Sequence, residues 1–190
     1  MCNNLLLNHR LELSQLLIEN INNKDTFAQL LLNGANINSQ NNMGWCILFE
    51  TIYLKLQDKI QDFLEYKINM NIRDTNGRNA LFWSIYFDNI EASKILLTFA
   101  SDLIVCSKQQ LHVFHYAVYK NNLALIKYLI EENQIDTETK DNLNCTPLIY
   151  AALYKKTEII EYLINKGANL HWIDSMGNCA NSLIKKSKYK

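Results

Sequence analysis

The chain has 190 residues, of which 48% are hydrophobic and 20% charged, a composition typical of a folded protein that buries a core. Nineteen basic side chains balance nineteen acidic ones, so no overall charge favours nucleic acid or an anionic membrane as a partner. No apolar run approaches the length of a membrane span, and we therefore expect neither a membrane nor nucleic acid among the partners.

The cysteines are scattered along the chain, and no two of them form a Cys-x-x-Cys pair. Their odd number and wide spacing argue against both a disulfide framework and a zinc site. The first residues, Met1 to Leu7, lack the basic region and the long apolar run of a signal peptide. We therefore expect a cytoplasmic protein in which all thiols are free, namely Cys2, Cys46, Cys106, Cys145 and Cys179.

In chain order, the first predicted elements are a helix near residues 11–18 and a second helix that contains Leu30 and Leu31 and ends before Gly34. From there a turn position recurs at intervals of 33, 33, 34 and 33 residues, at Gly44, Gly77, Gln110, Asn144 and Gly177. A buried apolar position follows the first four turns, at Leu48, Leu81, Phe114 and Leu148. Because several columns repeat at one spacing, the chain is predicted to be an array of similar units.

The clearest unit lies between Asp141 and Asp174. Thr146 is a natural N-cap, and Pro147 fits the first position of the helix that it would begin. A second apolar run leads to Gly167, which can adopt the left-handed conformation that ends a helix. The unit is therefore predicted to be a turn, a short helix, a tight link, a second helix and a glycine stop.

This unit, with its intact Thr146-Pro147-Leu148, resembles the ankyrin repeat, and the resemblance extends from about Leu11 to about Lys186. It implies an all-α fold, an ankyrin-repeat solenoid of stacked helix-turn-helix units in one domain. The expected repeats are residues 8–38, 39–72, 73–105, 106–139 and 140–173, followed by a C-terminal cap of residues 174–190.

The pattern departs from the family at three helix ends, where Lys67, Ala100 and Asn133 replace the expected glycine. The interval of 34 residues between Gln110 and Asn144 implies one extra residue, which we place in a longer loop at 133–139.

Several polar groups could carry chemistry. His112 and His115, with Cys106 upstream, could hold a soft metal or haem, but no fourth ligand has suitable spacing. The resemblance instead implies that the His115 ring forms a hydrogen bond with the backbone of the turn. The recurring acids Asp74, Asp141 and Asp174 occupy the same position in different repeats. Equivalent residues of stacked repeats lie too far apart to form a catalytic pair, so we expect these acids to cap turns.

Known catalytic motifs do not occur in the sequence. Cys46 and Cys179 hold the threonine position of their turns, where we expect them to substitute for threonine and to keep ordinary reactivity. We therefore predict a protein that is not an enzyme and that carries no cofactor and no metal.

Aromatic residues recur six, nine and ten positions after the turn, on one face of each first helix. In ankyrin repeats this face lines the concave groove where partners dock, and exposed tyrosine and tryptophan are typical of binding hot spots. Together with two residues of the turns, the candidate partner-binding set is Trp45, Tyr53, Arg78, Trp83, Tyr86, Phe87, Tyr116, Tyr119, Tyr150 and Tyr154.

We therefore predict a module that binds another protein through an aromatic groove and is monomeric when free. The chain is similar to small stand-alone ankyrin proteins of bacteria, which leaves three alternatives open. It could be an immunity protein that neutralises a cognate toxin, a haem or metal accessory protein for a catalase-like enzyme, or an effector secreted into a host cell. The lysines from Lys185 to Lys190 could serve as an address in the last case, although such tails are usually solvated.

Overall fold

A computed structural model of the chain describes residues 12–99, residue 105 and residues 111–188. Within these residues the fold is all-α, as predicted, and extended backbone is confined to isolated bridges such as the one between Gln40 and Cys46. The helices are α1 (12–19), α2 (Lys24–Leu32), α3 (Ile47–Tyr53), α4 (Asp58–Glu65), α5 (Ala80–Tyr86), α6 (Ile90–Phe99), α7 (Val113–Tyr119), α8 (Leu123–Glu131), α9 (Pro147–Leu153), α10 (Thr157–Asn165) and α11 (Ala180–Lys188).

Side chains of the turn residues begin most of the first helices. Thr146 accepts a hydrogen bond from the Ile149 amide and Pro147 is the first helical residue, so both predictions for α9 are confirmed. Asn79 and His112 cap α5 and α7 in the same way. At the equivalent position Cys46 makes no capping hydrogen bond, so the expectation that its side chain replaces threonine is wrong, because sulfur is a weak acceptor.

Left-handed residues end the second helices. Gly167 has φ +88° as predicted, and Lys67 adopts φ +58° where the family expects glycine. In the fourth repeat the left-handed residue is Gln134 and not Asn133. The Ile135 amide reaches six residues back to the Leu129 carbonyl, whereas in the fifth repeat the corresponding bond spans five residues. The extra residue therefore lies at the end of α8, at the start of the predicted loop. Ala100, the third predicted departure from glycine, lies outside the described residues.

The helices stack in two layers around one continuous core. The first helices α3, α5, α7, α9 and α11 contact one another in sequence, and each of the first four also packs on the second helix that follows it. The predicted apolar column lies at the centre of this stack, and Leu48, Leu81, Phe114 and Leu148 are all completely buried. Burial of such a column is the main source of stability in a repeat array, since one helix pair cannot cover its own apolar faces.

Hydrogen-bonded turns, which we call the fingers, connect each second helix to the next first helix. Asp74, Asp141 and Asp174 each accept two backbone amide hydrogen bonds within their own finger, which confirms their capping role. Neighbouring fingers are also joined, because the Gln40 side chain donates to the Arg73 carbonyl at 2.7 Å and Arg73 donates to the Val105 carbonyl at 3.0 Å.

The lysine-rich segment that the sequence suggested as a tail is helical in part. Lys185 and Lys186 lie on α11, which packs against α9. These two lysines are therefore the exposed side of a terminal helix.

Candidate functional site

The aromatic face is the surface formed by the ten candidate residues of the first helices and their turns. Its outer positions are the tyrosines nine or ten residues after each turn, which are about half exposed: Tyr53 54%, Tyr86 49%, Tyr119 50% and Tyr154 46%. These side chains lie near the carboxyl ends of α3, α5, α7 and α9. Trp45, Arg78, Phe87 and Tyr150 are partly buried beside them.

Two candidate residues are more deeply buried than expected. The pattern predicted that Trp83 and Tyr116 are exposed, but they are only 8% and 6% exposed. Trp45 covers Trp83 edge-on with ring centroids 4.9 Å apart, and Phe82 stacks on Tyr116 at 4.5 Å. Position six of the repeat therefore forms the floor of the aromatic face and position nine its exposed surface.

Ring contacts continue across four repeats without a break. Tyr53 contacts Phe87 at 5.1 Å, and Phe87 stacks on Trp83 at 5.5 Å. The Trp83 ring in turn contacts the Phe82 ring, with centroids 5.6 Å apart. From Phe82 the contacts continue to the rings of Tyr116, Tyr119 and Tyr154. Each exposed ring is therefore held by its neighbours, which limits the conformational entropy that binding would remove.

Sequence reasoning missed Phe82, the ring that joins the third repeat to Tyr116 of the fourth. It lies five residues after its turn, a position that the search for six, nine and ten passed over. An aromatic residue directly before Trp83 was the available signal, although helical spacing alone assigns that position to the core side.

Arg78 and Lys120 place positive charge on the aromatic face. Arg78 Nε donates to Asp74 Oδ2 at 2.6 Å, and its guanidinium lies 4.3 Å from the centre of the Trp83 ring. Lys120 Nζ lies 4.9 Å from the centre of the Tyr86 ring. Both are cation–π arrangements, which stabilise a charge that is partly removed from water.

Tyr150 is fixed by a polar network. Its hydroxyl donates to Asp141 Oδ2 at 2.8 Å, and the ring contacts His115 at 4.8 Å. Burial, together with this hydrogen bond and the carboxylate charge, raises the pKa of Tyr150 well above its usual value. The phenol therefore stays protonated and serves to orient the ring.

The histidines act on backbone, as the resemblance implied. His115 Nε2 bonds to the Cys145 carbonyl at 2.8 Å, and His112 Nδ1 accepts from the Phe114 amide at 3.2 Å. Burial lowers the pKa of His112 to about 4 and also lowers the pKa of His115. Cys106, the third predicted ligand, lies outside the described residues, and within these no three acidic, histidine or cysteine side chains come together as a metal site would require.

The described thiols differ in reactivity. Burial raises the pKa of Cys46 to about 11 and, with the adjacent Asp174, that of Cys145 to about 12. These two remain thiols at neutral pH and are poor nucleophiles. The expectation of ordinary reactivity is wrong for Cys179, because hydrogen bonding with Ser182 lowers the pKa of its thiol.

Comparison with known proteins places these features in a family. The family model described as "Ankyrin repeats (3 copies)" matches residues 15–105 and 99–174. The mouse "Ankyrin and armadillo repeat-containing protein" is 28% identical over 114 residues, which are 59% of this chain and 8% of the relative. A putative ankyrin repeat protein of Acanthamoeba polyphaga mimivirus is 26% identical over 144 residues, which are 75% of this chain and 19% of the relative. The chain therefore spans a small part of the length of these curated relatives.

A solved structure has the same fold over nearly the whole chain. It is that of a predatory endopeptidase from Bdellovibrio bacteriovorus in complex with an immunity protein, and the matching chain has a TM-score of 0.72 at 23% identity. The match covers 91% of this chain and 92% of that chain. Among the described residues, no helix is both long and apolar enough to cross a bilayer.

Proposed function

Because the chain belongs to the ankyrin-repeat family, we propose that it is a non-catalytic scaffold that binds another protein through its aromatic face. The observation that carries this proposal is the row of half-exposed tyrosines, one at the carboxyl end of each of four consecutive first helices. Tyrosine at such density on a surface is typical of interface hot spots, because one ring contributes both apolar area and a hydroxyl.

The rigidity of the aromatic face supports the same function. Tyr119 and Tyr154 contact each other at 5.1 Å and Tyr53 contacts Phe87 at 5.1 Å, so the exposed rings are held in place before any partner arrives. A preorganised surface pays less entropy on binding than one whose side chains must be ordered. Rings that only filled the core would have no reason to remain half exposed at the same position in successive repeats.

Inhibition of a cognate enzyme is the second candidate function. The observation that favours it is the likeness in fold, over 91% of this chain, to a chain from an endopeptidase–immunity protein complex. In this version the aromatic face, or a surface next to it, would cover the enzyme that the protein neutralises. Assay of the partner's own activity with and without this chain separates inhibition from simple recruitment.

The experiment begins with affinity purification from the source cell and identification of the bound protein by mass spectrometry. Titration calorimetry with that partner then compares Tyr86→Ala and Tyr119→Ala with the wild type, and Tyr162→Ala on α10 is the control because it removes a partly exposed tyrosine away from the aromatic face. Truncation of a central interface aromatic often costs 2 kcal/mol or more, so we expect both variants to weaken binding at least about tenfold.

The melting temperature of the same variants decides between binding and packing. We expect Tyr86→Ala and Tyr119→Ala to shift it by only a few degrees, because half of each ring is already in water. A large fall in melting temperature with unchanged affinity would assign these tyrosines to the fold and remove the aromatic face as the binding surface.

A further inference from the structure

A row of lysines borders the aromatic face at the carboxyl ends of the first helices. We call Lys55, Lys120 and Lys155 the lysine rim, and all three are exposed. They follow the exposed tyrosines by one or two residues, and Lys120 Nζ lies over the Tyr86 ring. The rim and the exposed tyrosines therefore form one continuous surface.

The charge of this border differs from that of the whole chain. The chain has no formal net charge, whereas the first two residues after each of α3, α5, α7 and α9 include three lysines against one aspartate, Asp88. The Asp88 carboxylate accepts a hydrogen bond from Asn122 at 3.0 Å. Within α3, α5, α7 and α9 the charged side chain is Glu50, which accepts a hydrogen bond from Trp45 Nε1 at 2.8 Å.

Acidic side chains are concentrated on the second helices instead. Asp58, Asp62 and Glu65 lie on α4, Glu131 lies on α8, and α10 carries two further glutamates. Charge is thus separated in part between the two layers of the array, because the second helices carry eight acidic side chains against four lysines, namely Lys24, Lys59, Lys94 and Lys127. A separation of this kind steers an acidic partner toward the aromatic face and away from the opposite layer.

Two lysines of the rim have a backbone conformation that lysine rarely adopts. Lys55 and Lys155 have φ +56° and +55°, in the left-handed region. Asp88 and Asn121 take the same conformation in the other two repeats, and Asn and Asp tolerate it better than other non-glycine residues. Lysine there suits the negative end of the helix dipole, but Lys67 at the end of α4 does so too, away from the aromatic face.

We propose that the aromatic face binds an extended acidic segment of the partner, with carboxylates against the lysine rim and apolar side chains between the exposed tyrosines. This inference rests on the proposed function and adds the chemistry of the partner. Packed helices lie roughly 10 Å apart, so four repeats span about 30 Å, which an extended segment of about ten residues covers. A partner surface rich in lysine and arginine would be repelled.

The test is selection from a phage-displayed library of random dodecapeptides. The selection is run on the wild-type protein, on the triple variant Lys55→Asn/Lys120→Asn/Lys155→Asn and on the double variant Tyr86→Ala/Tyr119→Ala. Peptides enriched on the wild type are then synthesised with a fluorophore and titrated by fluorescence polarisation at low and at high salt. Asn suits the left-handed conformation at positions 55 and 155, and position 120 is an exposed residue with right-handed helical backbone, so the triple variant should keep the melting temperature of the wild type within a few degrees.

We expect the enriched peptides to carry net negative charge together with aromatic or aliphatic residues. Each exposed ion pair contributes little by itself, so loss of three should weaken binding at least about threefold and reduce its salt dependence. The control Lys67→Asn changes the same residue type in the same backbone conformation and should leave binding unchanged.

Enriched peptides without acidic bias, or a triple variant that binds like Lys67→Asn, would overturn the acidic-segment proposal. If peptides without acidic bias bound the wild type but not the Tyr86→Ala/Tyr119→Ala variant, the proposed function would stand and the acidic-segment proposal would not. If the wild type enriched no peptide over that double variant, the acidic-segment proposal would fall, and titration of the purified partner against Tyr86→Ala and Tyr119→Ala would still decide the proposed function.

Discussion

Substitution of Gly44 by alanine tests whether the fingers pack against one another as described. Gly44 has φ +76°, and a Cβ atom there would lie 2.6 Å from Asp74 Cα and 2.7 Å from the Thr75 amide nitrogen. Both contacts are with backbone of the next finger, whose Thr75 also donates hydrogen bonds from its amide and its hydroxyl to the Met43 carbonyl. The clash therefore cannot be relieved by rotation of a side chain.

Gly177 provides a matched control, because it holds the same repeat position with φ +81° but has nothing within 4 Å of an added Cβ. A left-handed conformation costs an L-residue roughly 1–2 kcal/mol, and this cost applies to both substitutions. Overpacking adds about 1–3 kcal/mol at Gly44 alone. We therefore expect Gly44→Ala to lower the free energy of unfolding by about 2–5 kcal/mol and Gly177→Ala by about 1–2 kcal/mol.

Urea denaturation followed by circular dichroism measures this difference. With a slope of about 2 kcal/mol per molar urea, the two midpoints should differ by about 1 M. The two slopes should agree, since neither substitution changes the area exposed on unfolding. Equal midpoints for the two variants would refute the packing of the finger that contains Gly44 on the finger that contains Asp74.

Two further predictions concern the core and the effect of pH. Leu148 is completely buried while Leu153 on the same helix is 42% exposed, so Leu148→Ala should cost roughly 2–5 kcal/mol and Leu153→Ala under about 1 kcal/mol in urea denaturation; equal costs would show that the repeat phase is wrong. Burial lowers the pKa of His112 from 6.5 to about 4, so between these values the unfolded chain binds a proton that the folded chain does not. The free energy of unfolding should therefore fall as pH is lowered from about 7 to about 4, and His112→Thr, which keeps a capping oxygen, should show a flatter profile in thermal melts across that range; an unchanged profile would remove His112 as its source.

The aromatic face illustrates how far a pattern leads toward a site. Spacing correctly placed Tyr53, Tyr86, Tyr119 and Tyr154 at exposed positions, because the positions nine and ten after the turn lie on one side of a short helix. It did not reveal that Trp83 and Tyr116 are covered, since their burial depends on Trp45 and Phe82 from other parts of the array. The role of the whole face in binding stays a prediction.

The sequence by itself determined the helix pairs, the buried column through Leu148 and the capping roles of Thr146 and Asp141, because these follow from local spacing and short-range hydrogen bonds. Only the tertiary structure decided which rings lie under others, where the extra residue after Leu129 enters the backbone, and that Cys46 leaves its helix uncapped. Contacts between repeats join residues about thirty positions apart, and a periodic pattern specifies that such neighbours stack but not which side chain covers which.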